Sequence, residues 1–129
     1  MDTGKEIIYP DLSYQIIGAS FRVYNELGWG LSEKDYQRAL AKELAKIPLA
    51  FKREVYISSH YQTRTLTKYF ADFIVAEKVL LELKITPRLG YIQAKQTLVY
   101  LKTDGIRLGI LIYFTNDGVK YRRILNPKA

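Results

Sequence analysis

Isolated charged residues interrupt two apolar segments of the chain, and they constrain its fold more than any other feature. Asp72 lies inside the apolar run of residues 70–75, and Glu82 and Lys84 lie inside residues 80–85. Both runs have the composition and length of buried strands. A buried carboxylate without a partner costs several kcal/mol. These three side chains are therefore candidate catalytic or ligand-binding residues and not only packing residues.

Alternation along the second run places Glu82 and Lys84 on the same face of a strand. One interpretation is an ordinary strand with its polar side in water. The short turn at residues 77–78, however, brings Asp72 opposite or diagonal to Glu82. Two neighbouring carboxylates repel each other unless a cation lies between them. The second interpretation is therefore a divalent metal site, with Lys84 as a salt-bridge partner or as a fixed charge beside the metal.

Composition limits the kind of site that the chain can build. With 129 residues and 48% hydrophobic content, we expect a single domain spanning residues 1–129. The chain has no cysteine and one histidine, His60. Disulfides, thiol nucleophiles and cysteine-ligated zinc are therefore excluded, and the single histidine argues against zinc sites built from histidine. A metal site here has to use carboxylates, which favours Mg²⁺ or Mn²⁺.

Charge and hydropathy indicate the partner and the compartment. Twenty Lys and Arg against thirteen Asp and Glu give a net charge of +7. An excess of positive charge favours a nucleic-acid partner, although many small basic proteins bind none. The N-terminal residues lack the pattern of a signal peptide, and no uncharged run has the length of a membrane span. We expect a cytoplasmic protein with no membrane partner, and the oligomeric state, including a homo-oligomer, stays open.

Two helices are predicted at the start of the chain. Ser13 is in the position of an N-cap, and apolar residues then recur at helical spacing until Gly28. Ser32, with Asp35 three residues later, resembles a capping box and predicts a second helix that ends before Pro48. Glu33 would lie in the first turn of that helix and face the body of the protein. The alternative is a carboxylate placed there because it is favourable near a helix N-terminus.

The rest of the chain predicts a mixed sheet. Residues 51–85 read as three antiparallel strands, residues 91–104 as a third helix closed by Gly105, and residues 108–125 as a hairpin with its turn at residues 116–118. The order is ααβββαββ, an α/β fold whose mixed sheet is flanked by helices. Gln96 and Tyr100 are one turn apart on the third helix, with Gln93 on the same side. By themselves they form only a polar helix face.

Together these features resemble a known family. Residues 30–36, GLSEKDY, have the form GxxExxY, and residues 17–19 and 25–28 are also similar to the GxxExxY proteins. That family belongs to the PD-(D/E)xK nuclease superfamily, whose core has the order αβββαβ. The resemblance extends from residue 16 to residue 124. It therefore implies a PD-(D/E)xK nuclease-like fold for nearly the whole chain.

The resemblance also implies roles for six residues. Asp72 corresponds to the motif aspartate, and Glu82 with Lys84 to the Glu-x-Lys pair. Glu33 corresponds to the helical acid. Gln96 and Tyr100 correspond to the QxxxY element of RecB-like nucleases. Two positions depart from the pattern. Ala71 replaces the proline of the superfamily motif, and Gln93 stands where many relatives have histidine. Neither change removes a metal ligand.

The sequence thus predicts a nuclease that uses Mg²⁺ or Mn²⁺ and hydrolyses phosphodiester bonds, in DNA in preference to RNA. Asp72, Glu82 and Glu33 would hold the metal, Lys84 would position the attacking water, and Gln96 would orient the site. One alternative is a non-catalytic nucleic-acid-binding subunit of a repair or defence assembly. A second is a structural or interaction protein whose charged residues only form ion pairs.

Overall fold

The computed structural model describes residues 8–61, 64–87, 101 and 105–126. The helices and strands within these ranges are α1 (Pro10–Leu27), α2 (Glu33–Lys46), β1 (Phe51–Tyr61), β2 (Arg64–Val75), β3 (Val79–Ile85), β4 (Leu108–Thr115) and β5 (Gly118–Leu125). The predicted third helix lies outside the described residues except for Leu101, which is helical and fully buried. None of the helices described is long and apolar enough to cross a lipid bilayer.

The five strands form one mixed sheet in the order β1-β2-β3-β4-β5. Neighbouring strands are antiparallel except for β3 and β4, which are parallel. A parallel pair, unlike the antiparallel pairs of this sheet, cannot be joined by a tight turn. The predicted α/β class, the mixed sheet and the three antiparallel strands are confirmed.

Helix α1 begins earlier than the sequence pattern predicted. Pro10 occupies its first turn, where the missing N–H of proline removes no helical hydrogen bond. Ser13, the predicted N-cap, lies inside the helix, is buried, and donates its main-chain N–H to the carbonyl of Tyr9 at 2.9 Å. The prediction of Ser13 as the cap was therefore wrong. The helix ends at Leu27, and Gly28 caps it, as predicted, with a φ of 72° that glycine adopts readily.

Helix α2 begins with the predicted capping box. Asp35 donates its main-chain N–H to Ser32 Oγ at 3.2 Å, and Ser32 donates its own N–H to Asp35 Oδ2 at 3.3 Å. Both bonds satisfy N–H groups that a helix start otherwise leaves unpaired. One turn later, Tyr36 is fully buried and stacks on Phe114 of β4 with ring centroids 4.5 Å apart. The cap and this aromatic contact fix where α2 starts relative to the sheet.

Two apolar clusters enclose the sheet. The first joins the helices to the sheet and includes Ile16, Ala19, Val23, Tyr36, Leu40, Leu44, Phe73, Leu81, Leu83, Ile110 and Ile112. The second consists of Ile57, Ala71, Ile74, Leu80, Leu101 and Ile106. Leu80, which alternates with Leu81 along β3, is fully buried in this second cluster. The face of β3 that also carries Glu82 is therefore not a water-facing side, which excludes the ordinary half-exposed strand.

The predicted terminal hairpin is confirmed with a small shift. Thr115 and Gly118 are paired, so Asn116 and Asp117 form a two-residue turn between β4 and β5. Gly118, predicted within the turn, is the first residue of β5. Thr115 Oγ1 donates to the carbonyl of Gly118 at 2.8 Å and closes the turn. The hairpin extends the sheet on the side away from β1 and β2.

Candidate metal centre between β2 and β3

Strands β2 and β3 are paired near their turn and separate further along. Their paired register ends at Phe73 opposite Leu81, and the next residues are Asp72 and Glu82. Leu83 donates its main-chain N–H to Asp72 Oδ2 at 2.7 Å, and Asp72 donates its own N–H to Glu82 Oε1 at 3.4 Å. Buried main-chain N–H groups need acceptors. Each carboxylate therefore accepts a bond from the opposite strand where the ladder ends.

Burial raises the pKa of both carboxyl groups. Glu82 is only 4% exposed, and loss of hydration raises its pKa to about 7. The same cause raises the pKa of Asp72 to about 6. Repulsion by Glu33 raises both pKa values further, whereas attraction to Lys84 lowers them. The sequence argument relied on repulsion within the acid pair, but burial is the largest cause in each case.

Lys84 is half-buried on β3, two residues after Glu82. Its charge lowers the pKa of both acids, yet within the described residues no ion pair joins it to either one. Glu43 forms ion pairs with Arg22 and Lys46, which lie on the helices and away from the acid pair. A structural salt bridge would place the ammonium nitrogen within about 4 Å of a carboxylate oxygen. The geometry therefore favours a site in which Lys84 is kept close but unpaired with the acids.

Gln37 connects α2 to the carboxylates and was not identified from the sequence. Its Nε2 donates to Asp72 Oδ1 at 2.9 Å and to Glu33 Oε2 at 3.4 Å. One buried amide therefore links two acids that come from different elements of the fold. Gln37 follows Glu33 by four residues, which puts both on one helix face. That spacing is the signal that could have identified it.

Glu33 is more open to solvent than predicted. It is exposed, so the prediction that it faces the body of the protein was wrong. The physical reason is its position as the first residue of α2. The fully buried residues Tyr36 and Leu40 follow about one and two turns later. Through Gln37 it still joins the hydrogen-bonded group around Asp72. Glu33 is therefore an acid at the entrance of the gap.

Strand β1 contributes a further acid that the sequence did not indicate. Glu54 lies between the residues that pair with Phe73 and Ala71, and so opposite Asp72. Its repulsion is one of the causes that raise the pKa of Asp72. Its φ of 51° is uncommon for a residue other than glycine. No pattern marked it, because charged residues are ordinary at exposed positions of an edge strand.

The structure thus brings Asp72 and Glu82 together, places Lys84 beside them, and links Glu33 to Asp72 through Gln37. Gln96 and Tyr100, together with Gln93, lie outside the described residues. Within the described ranges, no group of three or more histidine, aspartate and glutamate side chains is arranged to hold a metal ion. The donors that the described part of the gap offers are the two neighbouring carboxylates of β2 and β3.

The fold and the acid pair can now be compared with known proteins. A family model of the PD-(D/E)XK nuclease superfamily matches residues 10–124. The chain belongs to this superfamily. The match includes both described helices, strands β1 to β4 and β5 up to its last residue but one, so it concerns the fold as a whole and not one motif. Membership of the PD-(D/E)XK superfamily confirms the superfamily resemblance seen in the sequence.

A solved structure, the crystal structure of SSO0001, has a similar fold. It aligns with a TM-score of 0.52 and 16% identity, over 91% of this chain and 78% of that chain. At this identity the similarity concerns the fold alone. None of the curated proteins matches the sequence. The assignment to the PD-(D/E)XK superfamily therefore depends on the family model alone.

Proposed function

We propose that this PD-(D/E)XK protein is a metal-dependent nuclease that hydrolyses phosphodiester bonds, in DNA in preference to RNA. The observation that carries the proposal is the pair of carboxylates, Asp72 and Glu82, where β2 and β3 separate. Burial raises the pKa of these groups to about 6 and about 7, and no ion pair among the described residues compensates them. A divalent cation would stabilise both in their ionised form.

Mg²⁺ or Mn²⁺ suits this donor set. Mg²⁺ keeps several of its waters and is often held through one or two carboxylates together with substrate phosphates. Asp72 and Glu82 would therefore suffice as direct ligands, and the exposed Glu33 would join through water. A bound divalent ion supplies a more acidic water and a polarised phosphoryl oxygen.

The neighbouring side chains would orient the reacting groups. Lys84, half-buried beside Glu82, would hold the attacking water and balance the charge that develops on the phosphate. Gln37 would fix the orientation of Asp72 through the bond to Oδ1. Gln96 and Tyr100 keep the roles that the family resemblance implies for them. The net charge of +7 supports a polyanionic substrate.

Within the superfamily, we assign the chain to the GxxExxY proteins. Each of the three fixed positions of its motif, Gly30, Glu33 and Tyr36, has its own structural role. Gly30 has a φ of 108°, which favours glycine. Tyr36 is fully buried and donates its hydroxyl to the carbonyl of Gly28, and Glu33 approaches the site through Gln37. The motif thus positions α2 and presents an acid near the gap.

The proposal is tested by metal-dependent cleavage of purified plasmid and single-stranded DNA. Asp72→Asn, Glu82→Gln and Lys84→Ala should each lower the rate in Mn²⁺ at least about 100-fold, or about 3 kcal/mol of barrier. Glu43→Gln is the matched control, because Glu43 pairs with Arg22 and Lys46 on the helices. It should cleave like the wild type. A parallel assay on RNA of the same sequence should give the slower rate.

Two results would contradict the proposal. Equal cleavage by the wild type and the three site variants would exclude this site. DNA binding without any metal-dependent cleavage would instead support the non-catalytic nucleic-acid-binding subunit. Binding in EDTA should weaken with salt, with a log-log slope of roughly −0.7 to −0.9 per neutralised phosphate.

A further inference from the structure

Two aromatic rings lie side by side in the solvent on the β1–β2 hairpin. Tyr56 and Phe70 are directly opposite each other in the strand register, with ring centroids 5.3 Å apart and planes inclined by 56°. They are 49% and 59% exposed, whereas their neighbours Ile57 and Ala71 are buried. Single exposed apolar residues are common on protein surfaces. An adjoining pair provides a wider π surface that packing within the described residues does not use.

This aromatic pair lies close to the proposed cleavage site. Phe70 precedes Asp72 by two residues on β2, a separation of about 7 Å along a strand. Within the described strands, β2 is paired with β3 only from Phe73 to Val75, whereas the pairing of β2 with β1 continues to the hairpin end. The rings therefore lie beside the unpaired edge of β2, next to the gap. A nucleotide held on them would have its neighbour at the carboxylates.

Charge favours a nucleic acid as the occupant of the aromatic pair. Lys52 is exposed on β1, the strand that also carries Tyr56, and forms no ion pair with a described residue, whereas the guanidinium of Arg53 lies over the ring of Phe73, 5.8 Å from its centroid. Together with the net charge of +7, Lys52 favours a polyanion. A second copy of this chain would bring the same positive charge and be repelled. Exposed aromatic rings on a positively charged protein are a usual arrangement in proteins that bind single strands.

We infer that Tyr56 and Phe70 form a stacking platform for an unpaired nucleobase beside the cleavage site. Bases in a duplex already stack on their neighbours, so only an unpaired base can offer a free face to the rings. The protein should therefore prefer single-stranded nucleic acid, or an unpaired end, to an intact duplex. Every base has a π face, so little sequence preference is expected. This inference rests on the proposed function and specifies the form of its substrate.

The inference is tested by binding in EDTA, where cleavage does not take place. Fluorescence anisotropy would compare a labelled oligothymidylate strand with a duplex of the same length. Tyr56→Leu and Phe70→Leu should each weaken single-strand binding about tenfold, because stacking on one base contributes a comparable amount. Duplex binding should change less than about twofold, since duplex affinity depends mainly on phosphate contacts. Tyr14→Leu, which removes an 81% exposed aromatic side chain from α1, is the matched control and should leave both affinities unchanged.

A second variant separates stacking from a general disturbance of the hairpin. Phe70→Trp keeps an aromatic face and should retain single-strand affinity, and its added fluorescence should be quenched when the strand binds.

Unchanged single-strand affinity in both leucine variants would overturn the inference, as would equal losses of affinity for the single strand and the duplex. A change from dimer to monomer in sedimentation, with strand affinity retained, would assign the rings to self-association. If those negative results came with normal Mn²⁺-dependent cleavage, the platform would be rejected and the proposed nuclease would stand. Absence of cleavage and of strand binding in the wild type would reject both.

Discussion

The two ends of the β2–β3 pair follow different physical rules. Near the turn, Phe73 and Leu81 are opposite each other, fully buried and packed in the cluster under the helices. One residue further along each strand, Asp72 and Glu82 are also largely removed from water, but they carry ionisable groups. Burial therefore stabilises the fold at one end and opposes it at the other. Positions that violate the pattern of their own strand are expected at functional sites.

The largest effect should come from the apolar end. Leu81→Ala removes a fully buried side chain and should lower the free energy of unfolding by about 3 kcal/mol, through lost burial and a cavity. Glu82→Gln, one residue away, should leave it unchanged or raise it, because a buried charge is removed. Urea denaturation in EDTA at pH 7.5 measures both. If Leu81→Ala were as stable as the wild type and Glu82→Gln strongly destabilised, the proposed difference between the two ends would be contradicted.

A second effect concerns pH. The pKa of Glu82 is about 7 in the folded protein against an ordinary value of 4.5, so the folded state keeps a proton that the unfolded state releases between these values. Stability of the metal-free protein should therefore fall as the pH rises through this window, with Glu82 accounting for about 3 kcal/mol. The raised pKa of Asp72 likewise makes stability fall with rising pH, up to a pH of about 6.

Glu82→Gln is the control for that pH profile, because it removes one of the two titrating groups. Its free energy of unfolding, measured by urea denaturation between pH 5 and pH 8, should fall less than that of the wild type. Parallel curves for the two proteins would show that Glu82 is not the group responsible. A wild type that gains stability over this range would contradict the raised pKa values.

The smallest effect should come from the helix that orients the charged end. Gln37→Met keeps the length of the side chain but removes the donor to Asp72. Cleavage in Mn²⁺ should fall about tenfold, which corresponds to a hydrogen bond of about 1.4 kcal/mol. Gln15→Met, at an exposed position on α1, is the matched control. Full activity in Gln37→Met would show that this amide is not needed to position Asp72.

Local signals explain why much of the fold could be predicted. The capping box of Ser32 and Asp35 is a contact within one helical turn, so it was recognisable in the sequence and is present in the structure. The turn at Asn116 and Asp117 is equally local. Ser13 misled because a buried serine inside a helix and an N-cap serine look alike in a sequence. Helix α1 begins at Pro10 instead.

The candidate site was only partly predictable, because part of it arises from contacts between distant elements. The closeness of Asp72 and Glu82 follows from a short turn and strand alternation, and the structure brings the two together. Gln37 reaches Asp72 across 35 positions of sequence, which no local pattern records. Glu54 faces Asp72 only because β1 lies on the outer side of β2. The raised pKa values likewise depend on tertiary burial.

The central claim is that the charged end of β2 and β3 binds a divalent metal ion, and its most direct test needs no substrate. At pH 7.5, 1 mM Mn²⁺ should raise the free energy of unfolding of the wild type by about 1 to 3 kcal/mol, for a Kd of about 10 to 100 µM. Glu82→Gln should respond much less, and without metal it should be at least as stable as the wild type. A wild type that does not respond to Mn²⁺, together with a Glu82→Gln protein that is destabilised without metal, would contradict the claim and indicate a structural ion pair with Lys84.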